Sequence, residues 1–148
     1  MNIEPAILYY CKYQERCHSE VRNKLYELGM FSVTVDEQIA LLIEAGHLNE
    51  ERFARAYARG RWRLKQWGRV KIRQQLRLKK VSEYCIKKGL SEIDEQEYFD
   101  KINEIAAKKA LELAKERSIL SKKAKISRFL LQRGYEQDIV SDLVAQIK

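Results

Sequence analysis

"IRQQLRLKKV", Ile72 to Val81, is the stretch on which the fold turns, because its pattern occurs three times. "VRNKLYELGM", Val21 to Met30, and "ISRFLLQRGY", Ile126 to Tyr135, share its register at offsets of 51 and 54 residues. In each copy an aliphatic residue is followed four positions later by Leu25, Leu76 or Leu130, and that spacing puts both on one helical face. A helix end then falls at Gly29, Lys80 or Gly134, and an apolar Met30, Val81 or Tyr135 follows it. Units of this size bury little apolar surface alone, so neighbouring copies are expected to share a core.

Outward from the repeat, every signal is helical. The 148 residues include one proline, Pro5, and six glycines, too few for a hairpin-rich fold. The only strand-like run, "FSVTV" at 31–35, reads better as a helix start, with Thr34 and Glu37 three residues apart as a capping box. Asn49, followed by Glu50 and Glu51, caps a helix expected over 50–65. Ser82 with Glu83 marks another start, as does Ser19 with Glu20, while Gly29, Gly46, Gly89 and Gly134 close helices as residues free to take positive φ. The predicted helices are 6–16, 19–28 and 35–45, then 50–65, 69–79 and 83–89, then 95–117, 122–133 and 136–147. The fold class is therefore all-α: three tandem three-helix repeats, residues 1–48, 49–92 and 93–148, stacked into an elongated, curved molecule.

Charge is unevenly distributed along this framework. Residues 1–51 hold four Lys and Arg against nine Asp and Glu, residues 52–80 hold twelve against none, and residues 81–148 hold thirteen against twelve. The net charge of +8 thus comes from the middle fifth of the chain, the footprint expected for a polyanion or an acidic protein surface. At 100° per residue Phe53, Ala56, Tyr57, Gly60 and Leu64 form the expected core stripe of the 50–65 helix. Arg52, Arg55, Arg59 and Arg63 occupy another arc, and Arg69, Arg73, Arg77 and Lys80 repeat the device on the next helix, where Ile72 and Leu76 mark the core.

Eight of the twelve charges are Arg, whose planar fork donates in pairs to phosphate or carboxylate at any physiological pH. The candidate binding set is Arg52, Arg55, Arg59, Arg61, Trp62, Arg63, Arg69, Lys71, Arg73, Arg77, Lys79 and Lys80. A merely solvated face is the competing reading, but such faces mix signs for i,i+4 pairing and this one does not. Trp62 and Trp67 fit base stacking, a contact anchor or core packing, with Trp67 beside Gly68 at a helix junction and Trp62 on the basic side.

Other functions find less support. Cys11, Cys17 and Cys85 are an odd set with no paired spacing, and no apolar leader precedes them, so a reduced, cytoplasmic protein is expected. The longest apolar run, "IALLI" at 39–43, falls far short of the roughly 20 residues needed to span a bilayer. His18 and His47 are the only histidines, Cys17 beside His18 lacks any metal-ligand spacing, and "DEQE" at 94–97 reads as an acidic first turn. Neither cofactor nor metal is expected, and no catalytic constellation is visible.

"LNEERFARAYARGR" followed by "WGRVKIRQQLRLKKV" resembles the RecX regulatory proteins of bacteria. The matching positions are Leu48, Glu50, Glu51, Arg52, Phe53 and Ala54, then Gly68, Arg69, Lys71, Ile72, Gln75 and Leu76. "HSEVRNKLYELG" at 18–29 and "ISRFLLQRGY" at 126–135 support it, and the region 91–115 matches weakly. Lys80 departs from the family's usual glycine, and Asn49 from its commoner aspartate. The resemblance implies three tandem three-helix repeats and a non-enzymatic modulator that lies along the groove of the RecA–DNA filament. It implies inhibition of the recombinase's ATPase, strand exchange and co-protease activities in recombinational repair and the SOS response. The partners so implied are the RecA filament and the single- and double-stranded DNA within it, met by a monomer. From the residues alone, a helical module that binds DNA or RNA without RecA is the alternative, and an enzyme stands third.

Overall fold

The computed structural model describes residues 2–148, and the described residues form nine helices and no strand. They are α1 (Pro5–Tyr13), α2 (His18–Glu27), α3 (Ser32–Glu44), α4 (Glu50–Lys65), α5 (Arg69–Leu78), α6 (Glu83–Leu90), α7 (Glu95–Glu112), α8 (Ile119–Gln132) and α9 (Gln137–Ala145). Two compact units emerge. The first takes the chain up to Arg59 with Gln75–Glu92, and the second takes Gly60–Gln74 with Ile93–Lys148.

The repeat is visible as hydrogen bonding. After α2 the Gly29 N–H donates to Tyr26 O and Met30 N–H to Leu25 O, at 3.0 and 3.1 Å. After α5 the same pair runs from Lys80 to Arg77 and from Val81 to Leu76, and after α8 from Gly134 to Leu131 and from Tyr135 to Leu130. Each is a Schellman closure, in which a residue with positive φ turns the chain and the next apolar residue packs back. Lys80 does this without being glycine, at φ 62°, so the lysine carries a left-handed strain of about 1–2 kcal/mol that Gly29 and Gly134 escape.

Several starts and stops differ from the sequence reading. Helix α2 is capped by Cys17, not Ser19: the Glu20 carboxylate accepts from the Cys17 N–H at 3.0 Å, closing the turn two residues earlier. Helix α3 begins at Ser32, with Thr34 already inside it, so no Thr34–Glu37 box forms. Gly89 lies within α6, where it serves close packing: a Cβ there would sit 2.6 Å from the Ala54 carbonyl oxygen. Helix α7 ends at Glu112, short of the expected 117.

The core stripe of α4 is also rotated from expectation. Phe53, Ala54, Ala58 and Trp62 are buried, whereas Leu64 is 85% exposed and Ala56, Tyr57 and Gly60 are half-buried. Hydropathy favours Leu64 and Tyr57, but the backbone of α6 at Gly89 closes on α4 at Ala54, where a small side chain suits so near an approach.

In the first unit the core is a cluster of Ile7, Cys11, Val21, Leu25, Val35, Ile39, Leu42 and Leu48, built from α1 to α3. Gln38, the buried polar residue there, donates to Asn2 O and accepts from Glu4 N–H, so its amide is satisfied.

The second unit is centred on aromatic rings. Tyr98 on α7 stands between Trp62 and Tyr135, with ring centroids 5.2 and 5.7 Å away. Both buried tyrosines find partners for their hydroxyls: Tyr98 donates to Glu136 Oε1 at 2.5 Å and Tyr135 to Gln66 O at 2.6 Å. Burial disfavours the charged phenolate, pushing Tyr135 up to about 12 and Tyr98 further in the same direction.

Candidate polyanion interface

Helices α4 and α5 carry all the sequence-derived candidates except Lys79 and Lys80, which follow α5 directly. Helix α4 forms where Asn49 sets its start: Asn49 Oδ1 accepts from the Arg52 N–H at 2.9 Å, and Glu50 and Glu51 fill the first turn. Gln66, at φ 58°, ends it and turns the chain through Trp67 and Gly68 into α5.

No acid lies between Arg52 and Lys80, yet the fold supplies carboxylates from elsewhere. Within the first unit, Arg52 pairs with Glu15, and Arg55 with Glu51 at 3.1 Å and Glu92 at 3.5 Å. Arg59 meets the same Glu92 at 2.8 Å, Arg77 meets Glu83 at 2.7 Å and Lys79 meets Glu20 at 3.3 Å. The expectation that these charges stand unneutralised is therefore corrected for this unit, where Lys80 alone of the six candidates makes no ion pair among the described residues. Such exposed pairs contribute at most about 1 kcal/mol each, so a phosphate could replace their carboxylates.

The second unit holds the other candidates, and its charges are arranged differently. Arg69 is committed to structure: its guanidinium lies 2.7 Å from Glu136 and 3.6 Å from Glu95, and stands 4.1 Å from the centre of the Tyr98 ring. Burial opposes its charge, and Glu136 and Tyr98 more than offset that, holding its pKa above the usual arginine value. Trp62 packs on Tyr98 and is 6% exposed, so the fold uses this ring as core and leaves it no face for a base. Arg63 is exposed, but with Trp62 it lines a shallow cleft that also contains Glu97, Asp100 and Glu104, a poor setting for an anion.

Around Trp67 three cations gather. Lys71 Nζ lies 4.5 Å from the ring centre, Arg61 Cζ 5.4 Å and Lys65 Nζ 5.8 Å. Lys65, Lys71 and Arg73 make no ion pair among the described residues. Sequence reasoning weighed Trp67 for base stacking and counted Lys65 among the charges but left both out of the candidate set, and it did not bring Phe129 and Arg133 of α8 to them. Their association depends on a junction 65 residues apart in sequence: the Gly68 N–H donates to Arg133 O at 2.7 Å and the Val70 N–H to Gly134 O at 2.9 Å. The approach requires glycine on both sides, since a Cβ on Gly68 would lie 2.2 Å from Gly134 O and one on Gly134 2.2 Å from the Lys71 Cβ. A glycine beside Trp67 and another closing α8 were the available signal.

Among the described residues no group of His, Cys, Asp and Glu is arranged to hold a metal ion. No helix is long and apolar enough to cross a membrane.

Architecture and charge together define an all-helical protein whose three recurrent helix closures frame a strongly basic pair of helices. The chain belongs to the RecX family. A family model described as "RecX, second three-helix domain" matches residues 49–90, and "RecX, third three-helix domain" matches 95–144. "Regulatory protein RecX" of Pelodictyon phaeoclathratiforme is 35% identical over 131 residues, covering 86% of this chain and 79% of that protein. The protein of the same name from Clostridium perfringens strain 13 is 35% identical over 133 residues, covering 89% of this chain and 62% of its own length. Against other curated relatives the span is shorter, about half for that of Bacillus cytotoxicus. The crystal structure of RecX from Lactobacillus salivarius superposes with a TM-score of 0.85 at 26% identity, over 95% of this chain and 91% of that one.

Proposed function

We propose that this chain regulates a RecA recombinase by binding the RecA–DNA filament, and that it lowers the filament's ATPase, strand-exchange and co-protease activities. Membership of a family whose relatives are named as regulatory proteins carries the reading. The acid-free cation cluster of the second unit agrees with a partner rich in phosphate. In this reading the protein is no enzyme and needs no cofactor; it acts as a cytoplasmic monomer in recombinational repair and the SOS response, meeting single- and double-stranded DNA inside the filament. Its three repeats divide at residues 48/49 and 92/93.

The candidate residues take different parts. Arg73 and Lys71, without carboxylate partners, contact phosphate directly. Arg52, Arg55, Arg59, Arg77 and Lys79 exchange exposed carboxylates for the partner's anions, while Arg69 and Trp62 support the fold beneath.

ATP hydrolysis by RecA on single-stranded DNA, followed across a wide range of stoichiometries of this protein, tests the proposal. A graded fall supports it, and an unchanged rate with unchanged strand exchange refutes it. The alternative, a module acting on nucleic acid without RecA, would show tight binding to naked DNA and no effect on the recombinase.

A further inference from the structure

The α4–α5 turn and the end of α8 enclose a surface pocket of about 440 Å³, lined by Lys65, Trp67, Lys71, Phe129, Gln132 and Arg133. We infer that this pocket takes one nucleotide of a single nucleic-acid strand, its base against Trp67 and its flanking phosphates against Lys65, Lys71 and Arg133. The inference deepens the proposed function by naming a subsite and a ligand chemistry, and it rests on that reading for its biological setting.

Three observations carry it. The first is composition: among the six lining residues are two aromatic rings, three cations and one amide, with no carboxylate. A pocket for a basic or apolar peptide would be lined otherwise; this one pairs π-faces with positive charge, as base and phosphate together require.

The second is that the pocket walls and Arg133 are fixed while the two lysines are not. Trp67 is held at the junction by the bond from its N–H to Arg61 O at 3.1 Å, and the neighbouring Gly68 and Val70 N–H groups are tied to the end of α8. Arg133 Nη1 donates to Gln66 Oε1 at 3.3 Å, and its guanidinium lies 4.8 Å from the Phe129 ring centre. Lys65 and Lys71, by contrast, rest over the Trp67 ring with no acid to hold them. An exposed cation–π contact is worth only about 0.5–1 kcal/mol, so an arriving phosphate can draw the ammonium groups off the ring and leave its face to a base.

The third is the selection of strand type. Duplex bases present edges in a groove, whereas a concave site with an aromatic wall needs a base that has left its stack. The N–H groups at the start of α5 do not compete for the phosphate, because Arg133 O, Gly134 O and the Tyr98 hydroxyl already accept from Gly68, Val70 and Arg69. Recognition of charge therefore falls to the side chains.

The test uses the intact chain and three probes, each titrated over the same series of salt concentrations: a thymidine oligonucleotide, an abasic oligonucleotide of equal length, and polyglutamate. Of the two tryptophans, Trp62 is buried against Tyr98, so fluorescence quenching on titration reports Trp67. The thymidine strand is expected to quench and to bind more tightly than the abasic strand, by roughly fivefold to a hundredfold for one stacked base. With binding read instead by the anisotropy of a labelled strand, Trp67→Ala should remove that difference and Trp67→Phe should retain most of it. Lys71→Glu should weaken both strands and reduce the slope of log affinity against log salt by about 0.7, the share of one single-strand phosphate contact.

Equal binding of the thymidine and abasic strands overturns the stacking subsite even if no variant folds. Polyglutamate binding as tightly as the thymidine strand would reassign the pocket to acidic protein. Failure here is separable from failure of the proposed function: a wild-type chain that lowers RecA ATPase yet does not discriminate bases refutes the subsite alone.

Discussion

Replacing Gly68 by alanine tests whether the α4–α5 turn is built on backbone-to-backbone contact. The added methyl would lie 2.2 Å from Gly134 O and 2.5 Å from Tyr135 N, distances no rotamer can relieve because Cβ has none. The two backbones must separate, and with them go the hydrogen bonds from Gly68 N–H to Arg133 O at 2.7 Å and from Val70 N–H to Gly134 O at 2.9 Å. Leaving each donor unsatisfied costs about 1–3 kcal/mol, so the pair costs about 2–6 kcal/mol. Alanine regains about 1 kcal/mol by restricting the unfolded chain, for a net loss of roughly 1–5 kcal/mol.

That is a large share of the 5–15 kcal/mol, roughly, that holds a domain folded. Urea unfolding followed by circular dichroism reads it as a lower midpoint at nearly constant slope. Gly60→Ala is the matched control, since a Cβ there meets nothing within 4 Å and α4 is regular at that point. It is expected to stabilise by about 0.5–1 kcal/mol. A Gly68→Ala loss below about 0.5 kcal/mol would contradict the hydrogen-bond costs used here and show that the junction can widen freely.

Lys80→Gly should raise stability by about 1 kcal/mol, because it releases the left-handed strain at φ 62° while the Val81-to-Leu76 closure remains; a thermal melt with unchanged or lower midpoint would contradict this. Asn49→Ala removes the acceptor for the Arg52 N–H and should cost about 1 kcal/mol in the same assay. Alkaline pH should destabilise the second unit. Tyr135, pushed up to about 12, and Tyr98, raised further, keep their protons in the fold at pH values where the unfolded chain has released them. Their contribution is complete below the unfolded value of about 10 and is lost as pH rises from there through the folded values, at up to about 1.4 kcal/mol per pH unit for each ring. Urea midpoints between about pH 9 and 11 measure that slope, and Tyr135→Phe should remove one ring's share of it.

Local chemistry made much of this fold legible. Helix α4 runs over the predicted span because Asn49 and the acids after it determine its start, and short-range capping is encoded where it acts. The three-copy register was equally readable, since an i,i+4 pair and its closure occupy ten contiguous residues. Lys80 is the exception: a residue other than glycine there pointed to a different closure, yet it takes the left-handed conformation and makes the same two bonds. What escaped depended on distant backbone. Ala54 is in the core ahead of Leu64 because Gly89, 35 residues away, closes on its backbone, and hydropathy assigns no value to smallness. Glu15, Glu92 and Glu136 neutralise arginines far from them in sequence, so a count of charges within 52–80 overstated how many are available. The Trp67 patch needs α8, and within 60–74 only Gly68 hints at that close approach, without naming its partner.

The junction between Gly68 and the end of α8 also orders events in time. A chain emerging from the ribosome displays Trp67, Gly68 and the start of α5 long before Arg133 and Gly134 exist to receive them. Contacts so separated in sequence close late and slowly, because loop entropy is lost before any bond compensates. The first unit needs nothing beyond Glu92 and can form while synthesis continues. The tryptophan turn therefore takes shape after the first unit, and the protein cannot present its acid-free pocket until the end of α8 has been made.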